Sequence, residues 1–337
     1  MKFYKLDNPI KHYDWGSSTE IPAFLGRPNP DNTPWAEMWM GSHPAGPSKV
    51  LGAEAGWTMP HLKWLFKLLA AEKPLSIQAH PNKQQAEEGF ARENALGIPL
   101  DSPLRNYKDD NHKPEIICAI TPFTALCGFK DEAAIELYRT IMHGNNGGGG
   151  TAPTVGAGLK PAPTPLQQLL QQLYPGDPGV YAPLYLNVIT LQPGEAIFLP
   201  AGVLHAYVHG FGFELMAASD NVLRGGLTNK HIDKAELEKI LLFEPYKPEI
   251  LHPPIVKEDF SFEMISSSRK GAKARRINAP GIIIIKEGIA ELACGGETIT
   301  LRKGESALIN IKNDETFETS GTFSGALAHG GKGSCIS

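Results

Sequence analysis

Glycine and proline interrupt this chain at short intervals along almost its whole length, and that punctuation limits the fold more than any other feature. The 337 residues include 35 glycines and 28 prolines, nearly a fifth of the chain against an average usage of about 12%. Both residues are poor in helix interiors, so the pattern favours many short strands joined by turns. With 42% apolar side chains and a length of about two domains, the chain can bury a sizeable core, which excludes a disordered or fibrous protein.

Residues 10 to 50 are turn-rich, and short strands and loops are expected there without an obvious capped helix. In 65–80, Glu72, Lys73 and Pro74 break an apolar run, and Ser76 to His80 alternates with period two; a strand, a turn and a second strand follow. Asn82 is an N-cap candidate with Gln85 three residues on and Gly97 as a stop signal, predicting a helix over about 83–96. Two short strands are predicted in 115–129, broken by Pro122 and Gly128. A helix capped by Asp131, with Ile135, Tyr138, Ile141 and Met142 on one face, should end near Gly144.

Residues 144–165 contain seven glycines and four prolines among 22 residues and read as a linker or mobile loop. Gly147 to Gly150 is not a phosphate loop, because no Gly-Lys-Ser/Thr follows. After a short helix over 166–173, the region 184–218 reads as strands at Tyr185–Leu191, Ala196–Pro200, Leu204–Gly210 and Phe213–Ser219, and a helix is predicted over 233–242. Beyond Ile255 come further short strands, including 281–286, 289–293, 298–301 and 307–311. Their turns at Gly288, Gly295–Gly296 and Gly304 recur every seven or eight residues, which suggests a second, smaller β-barrel or jelly roll.

A net charge of −4 offers no basic field for a polyanion and argues against nucleic acid as a partner. The first 15 residues lack a basic stretch followed by an apolar run, and no segment approaches 18 apolar residues, so the expected location is the cytoplasm and no membrane partner is expected. Cys118, Cys127, Cys294 and Cys335 are widely spaced with no Cys-x-x-Cys pair, as reduced core thiols would be.

Gln78 and His80 lie two apart on a predicted strand, so their side chains leave the same face. Glu115 follows Lys113–Pro114 at a strand start, and His205 follows the turn Pro200–Ala201–Gly202. Imidazole and carboxylate suit zinc, although with 11 histidines in the chain spacing alone leaves a structural role for these residues open. A sharper signal is Gly194, then Pro200, Gly202 and His205, which reproduces the Gly-x5-Pro-x-Gly-x2-His element of cupin barrels, whose histidine is a metal ligand. Gln78–Ala79–His80 stands where other cupins carry paired histidines.

Two longer stretches, Tyr107 to Glu115 and His205 to Lys230, resemble the signature segments of type I mannose-6-phosphate isomerases. Tyr13–Gly16, Ala36–Gly41 and Pro74–Pro81 resemble the same family, and the resemblance runs over roughly residues 1 to 245 and more loosely into the β-rich tail. Gly225 stands where the family usually has Ala, and Asn229 where it usually has Pro, departures expected to loosen the loop holding Arg224 and Lys230.

The resemblance implies a mainly β protein with two cupin-type jelly-roll barrels and a small helical insertion. Its domains would be 1–127 with 179–245 as a discontinuous catalytic cupin domain, 128–178 as the insertion carrying the 144–165 linker, and 246–337 as a C-terminal cupin-like domain. It implies one Zn2+ per chain held by Gln78, His80, Glu115 and His205. Arg224 is the implied catalytic arginine; Ser76, Lys113, Glu214, Asp220 and Lys230 line the implied substrate site, with Trp15 and Glu37 nearby.

The implied reaction interconverts mannose 6-phosphate and fructose 6-phosphate by moving a proton between C2 and C1 through a cis-enediolate, as part of mannose catabolism or GDP-mannose supply. Glu214 and a water on the zinc are candidates for carrying that proton, and Asp220 for orienting Arg224 or Lys230. The implied chain is a monomer. Two other readings compete: a non-catalytic zinc-stabilised cupin that binds a sugar phosphate, and an iron or manganese oxygenase, which the Gln-x-His set disfavours.

Overall fold

The computed structural model describes residues 2–143, 163–268, 271–313 and 315–333. The 144–162 part of the Gly/Pro-rich segment and Cys335 lie outside the described residues. The chain forms two large antiparallel sheets, one of ten strands and one of nine, with short helices between strands, a mainly β architecture as expected. No helix among the described residues is long and apolar enough to cross a membrane.

The ten-stranded sheet is organised by one strand, His205–Ala217. Its first residues pair with Ile77–Ala79 and with Phe123–Phe129. Its later residues pair with Trp64–Ala71 on one side and Glu115–Ala119 on the other. The sequence suggests two strands here, broken near Gly210. The structure has one strand that changes neighbours at that point, which curls the sheet towards a barrel. Gly210 makes the change, since its φ is +137° and a Cβ there would lie 2.7 Å from the Phe123 Cα. An L side chain would be both strained and in collision.

The helices follow their caps. Lys83–Ala95 begins at a full capping box in which the Asn82 side chain accepts from the Gln85 N–H and the Gln85 side chain accepts from the Asn82 N–H. Asp131 accepts from the Ala134 N–H ahead of Glu132–His143, and Asp233 accepts from the Glu236 N–H ahead of Lys234–Ile240. Glu20–Leu25 is a helix that the sequence does not announce: Thr19 makes no side-chain cap and Pro22 sits inside its first turn.

In the nine-stranded sheet, Gly281–Cys294 and Thr316–Gly330 form a long ribbon. The two strands expected over 281–293 are one, because a register shift between Ile285 and Glu287 and a positive φ at Gly288 bend it without ending it. Phe3–Asp7 pairs through Phe3 to Lys5 with Ser306–Ile309 of this sheet and through Leu6 and Asp7 with Lys49–Val50. The sheets share one core, in which Phe66 and Phe213 from the first meet Phe262 from the second with ring centres 5.8 to 6.0 Å apart. Cys118 and Cys127 are free and buried, and burial pushes both thiols up to about 12, so they are inert packing groups. Cys294 is also free.

Candidate metal centre and anion-binding cavity

The register shift between Tyr207 and His209 does more than bend the long strand. Alternation would send odd and even positions to opposite faces, yet Tyr207, Glu214 and Met216 all line one cavity, with His205 at its floor. The bulge exchanges the parity, so the first half of the strand directs odd residues inward and the second half even ones.

Opposite His205 in register lies Gln78, which also faces Arg224 across the other strand edge. His80 Nε2 lies 3.4 Å from one oxygen of Glu115, and His205 Nε2 lies 3.5 Å from the other. Ligand atoms of these three buried residues all fall within 4.8 Å of one another. Each imidazole is oriented from behind: His80 Nδ1 is 2.7 Å from the Asn221 carbonyl and His205 Nδ1 is 2.8 Å from the Val203 carbonyl. A carbonyl only accepts, so Nδ1 carries the proton and each Nε2 presents a lone pair to the centre.

His80 Nε2, His205 Nε2 and Glu115 Oε2 have no hydrogen-bond partner. Three orphaned acceptors converging in a dry site are costly unless a cation sits among them. Two nitrogens and a carboxylate, with Gln78 beside them, are a donor set that fits zinc. Burial lowers the His80 pKa to about 4, only partly opposed by Glu115, so the ring is neutral, as a ligand must be. For Glu115, burial acts upward but is outweighed by Lys113, 3.1 Å away, and by the two histidines, so its carboxyl stays well below the usual range.

A second charged cluster was not foreseen from the sequence. Lys67 sits in the wholly buried strand Trp64–Ala71, 2.8 Å from Glu214 and 3.4 Å from Glu37; Glu37 also accepts from the Trp39 indole N–H at 2.7 Å. Burial alone would depress the Lys67 ammonium, but Glu214 and Glu37 hold it above the ordinary lysine value. Glu214 is raised, by burial first, with Glu115 and Glu37 adding repulsion against the pull of Lys67. Glu37, Glu115 and Glu214 thus face only two buried ammoniums, Lys67 and Lys113, which leaves an excess of negative charge that a dication would offset. The signal available in the sequence was a lone lysine inside an eight-residue apolar run.

Above this floor lies a cavity of about 780 Å³. Trp15, Glu37, Ser76, Gln78 and Lys113 line one part of it, and Glu115, Glu214, Asp220, Arg224 and Lys230 line the rest. All ten expected lining residues are therefore brought together, over the two histidines. Tyr207 joins the lining, as do Trp39 and Tyr174. Lys113 is buried and ion-paired to Glu115.

The acidic residues have partners other than the two cations of the cavity rim. Asp220 does not approach Arg224 or Lys230; its carboxylate lies 3.5 Å from His43 Nε2. Glu214 is engaged by Lys67. Among the described residues, neither Arg224 nor Lys230 has a carboxylate within ion-pair distance. Burial lowers both, and Arg224 lowers Lys230 further. A partly buried Arg224 beside an exposed Lys230, neither with a counter-ion among the described residues, makes an anion site. His112, inside the first signature segment, lies 2.8 Å from Asp259, just ahead of the strand Phe260–Ser267 of the second sheet.

A buried two-histidine, one-carboxylate centre on the inner face of an antiparallel barrel, opening into a cationic cavity, defines a metalloprotein of the cupin class. The model of the phosphomannose isomerase type I catalytic domain matches residues 3–61 and 53–132. Mannose-6-phosphate isomerase of Escherichia coli (strain K12) is 37% identical over 90% of this chain and 94% of its own length. The Homo sapiens enzyme of the same name is 33% identical over 72% of this chain and 74% of its own. Among solved structures, mannose 6-phosphate isomerase from Salmonella typhimurium bound to substrate (f6p) and zinc superposes with a TM-score of 0.83 at 33% identity, covering 98% of this chain and all of that one. The chain belongs to the type I phosphomannose isomerase family.

Proposed function

We propose that the protein is a zinc-dependent mannose-6-phosphate isomerase, interconverting mannose 6-phosphate and fructose 6-phosphate. The observation that carries this reading is the pairing of orphaned His80, Glu115 and His205 atoms with uncompensated Arg224 and Lys230 in one cavity. His80, Glu115, His205 and Gln78 hold the metal, one per chain, whose chemistry is to stabilise negative charge on substrate oxygens.

The remaining work falls to side chains. Lys230 and Arg224 bind the phosphate or the enediolate, Arg224 with a permanently charged planar fork. Ser76 and Lys113 orient the sugar hydroxyls, and Trp15 and Glu37 close the side of the cavity. Glu214, whose carboxyl is raised by burial, carries the proton between C1 and C2, and Lys67 keeps it in place. Residues 1–127 and 179–245 supply most of the site, and the described parts of the insertion 128–178 and of the domain 246–337 flank and brace it. The protein acts as a cytoplasmic monomer on a small sugar phosphate, without a nucleic-acid or membrane partner.

A coupled assay with mannose 6-phosphate, run on the protein as isolated, after chelation and after zinc is restored, tests the reading. Turnover should vanish with the metal and return with it. A protein that binds zinc and sugar phosphate without turnover would be a non-catalytic cupin and would overturn the proposal.

A further inference from the structure

Arg224 and Lys230 are six residues apart, joined by a turn whose backbone is held in an unfavourable shape. Gly226 has φ of +148°, and Leu227, a buried non-glycine residue, has φ of +53°. Such a turn persists only where its surroundings over-determine it. Two like charges presented to one cavity also repel each other, so the turn that carries them needs an anchor.

That anchor comes from the helical insertion. Asp177 caps the turn of 3-10 helix Pro178–Tyr181, its Oδ1 accepting from the Gly179 N–H at 2.7 Å. Its other oxygen, Oδ2, accepts from the Thr228 N–H at 3.1 Å. Thr228 passes the constraint on, since its Oγ1 accepts from the Lys230 N–H at 3.1 Å. The backbones meet so closely that a Cβ on Gly179 would lie 2.8 Å from the Leu227 nitrogen, and one on Gly226 2.8 Å from the Gly179 Cα. Tyr174 ties the same segment to the opposite wall: its hydroxyl donates to the Pro74 carbonyl at 2.8 Å, two residues before Ser76, and its side chain lines the cavity. The side chain of Asp177 does not line the cavity.

We infer that Asp177 is a positioning residue for anion binding: through Thr228 it sets the loop that presents Lys230 beside Arg224, and so makes the insertion part of the substrate site. This rests on the proposed isomerase reading only for the identity of the natural anion, and the departure at Asn229 is tolerated because the loop is held from outside.

The test uses zinc-loaded full-length protein and inorganic phosphate, with affinity measured by calorimetry and Arg224→Ala identifying the heat that belongs to this cavity. Asp177→Asn keeps an acceptor for the Gly179 N–H but turns an amide N–H2 towards Thr228, so it separates the helix cap from the loop anchor. Asp177→Asn and Asp177→Ala should each weaken phosphate binding roughly tenfold. In the isomerase assay, KM for mannose 6-phosphate should rise by the same factor with kcat within about threefold of wild type, and zinc content should be unchanged. Wild-type affinity in Asp177→Asn overturns the inference. So does a loss that follows only a lower melting temperature or reduced zinc in both variants. Absence of turnover in the wild type would count against the isomerase reading alone, because the phosphate titration still decides the role of Asp177.

Discussion

At the scale of single residues, the charged groups under the cavity are tied into one balance. Lys67→Met removes the cation between Glu37 and Glu214 while keeping the length of the side chain. Breaking a buried ion pair from one side costs about 3–5 kcal/mol, which a fall in the urea midpoint would show. The sign of its pH dependence follows from Glu214, whose carboxyl is already raised by burial. Without Lys67 it rises further, the folded state binds more protons than the unfolded one above pH 4.5, and stability falls as pH increases from there through the new folded value. The defect should therefore be smaller at pH 5 than at pH 8, and an equal deficit at both would contradict this account. Arg224→Ala should keep one zinc per chain and lose roughly 10- to 150-fold in kcat/KM, the equivalent of a charged hydrogen bond of about 1.5–3 kcal/mol; loss of zinc instead would make Arg224 structural. Gln78 and His80 were legible because period-two alternation puts them on one face. Lys67 was hidden by its apolar neighbours, and Asp177 because its partner Thr228 lies 51 residues on in the sequence.

At the scale of elements, the decisive feature is the exchange of parity in His205–Ala217. Gly210→Val would place a branched side chain at φ of +137° against the Phe123 backbone, a strain of about 2 kcal/mol or more. Its stronger effect should be on metal content. His205 belongs to the half of the strand before the bulge, and Glu115 sits on a strand paired with the half after it. Metal analysis of the purified variant should show less than one zinc per chain even where circular dichroism shows a folded protein. Sequence pattern placed most strands and the capped helices because caps and turns are local. It divided His205–Ala217 and Gly281–Cys294 because a glycine that bends a strand reads like one that ends it.

At the scale of the whole molecule, the two sheets share a core, and His112 reaches from the signature segment to Asp259. Unfolding should be a single transition by fluorescence and by circular dichroism, and a fragment ending at residue 245 should not fold alone, since it would expose Phe66 and Phe213. Chelation should lower the melting temperature by several degrees, because a ligand at about 1,000 times its Kd contributes roughly 4 kcal/mol to the folded state. Two independent transitions would argue that the shared core contributes little. Fold class was readable from turn spacing and the cupin-like element, but the partner of Phe3–Asp7 was not, because no local pattern reports a pairing across some three hundred residues.

That pairing sets an order of events on the ribosome. Phe3 to Lys5 leave the ribosome about 300 residues ahead of their neighbours Ala307 to Ile309, roughly 15–60 s earlier at ordinary translation rates. Throughout that interval the opening strand has an unpaired edge, while the strands that carry His80, Glu115 and His205 are already available to one another. The metal-binding half can therefore assemble during synthesis, whereas the second sheet closes only when the late strand arrives. Until then the edge of Phe3 to Lys5 is one that a chaperone would have to shield.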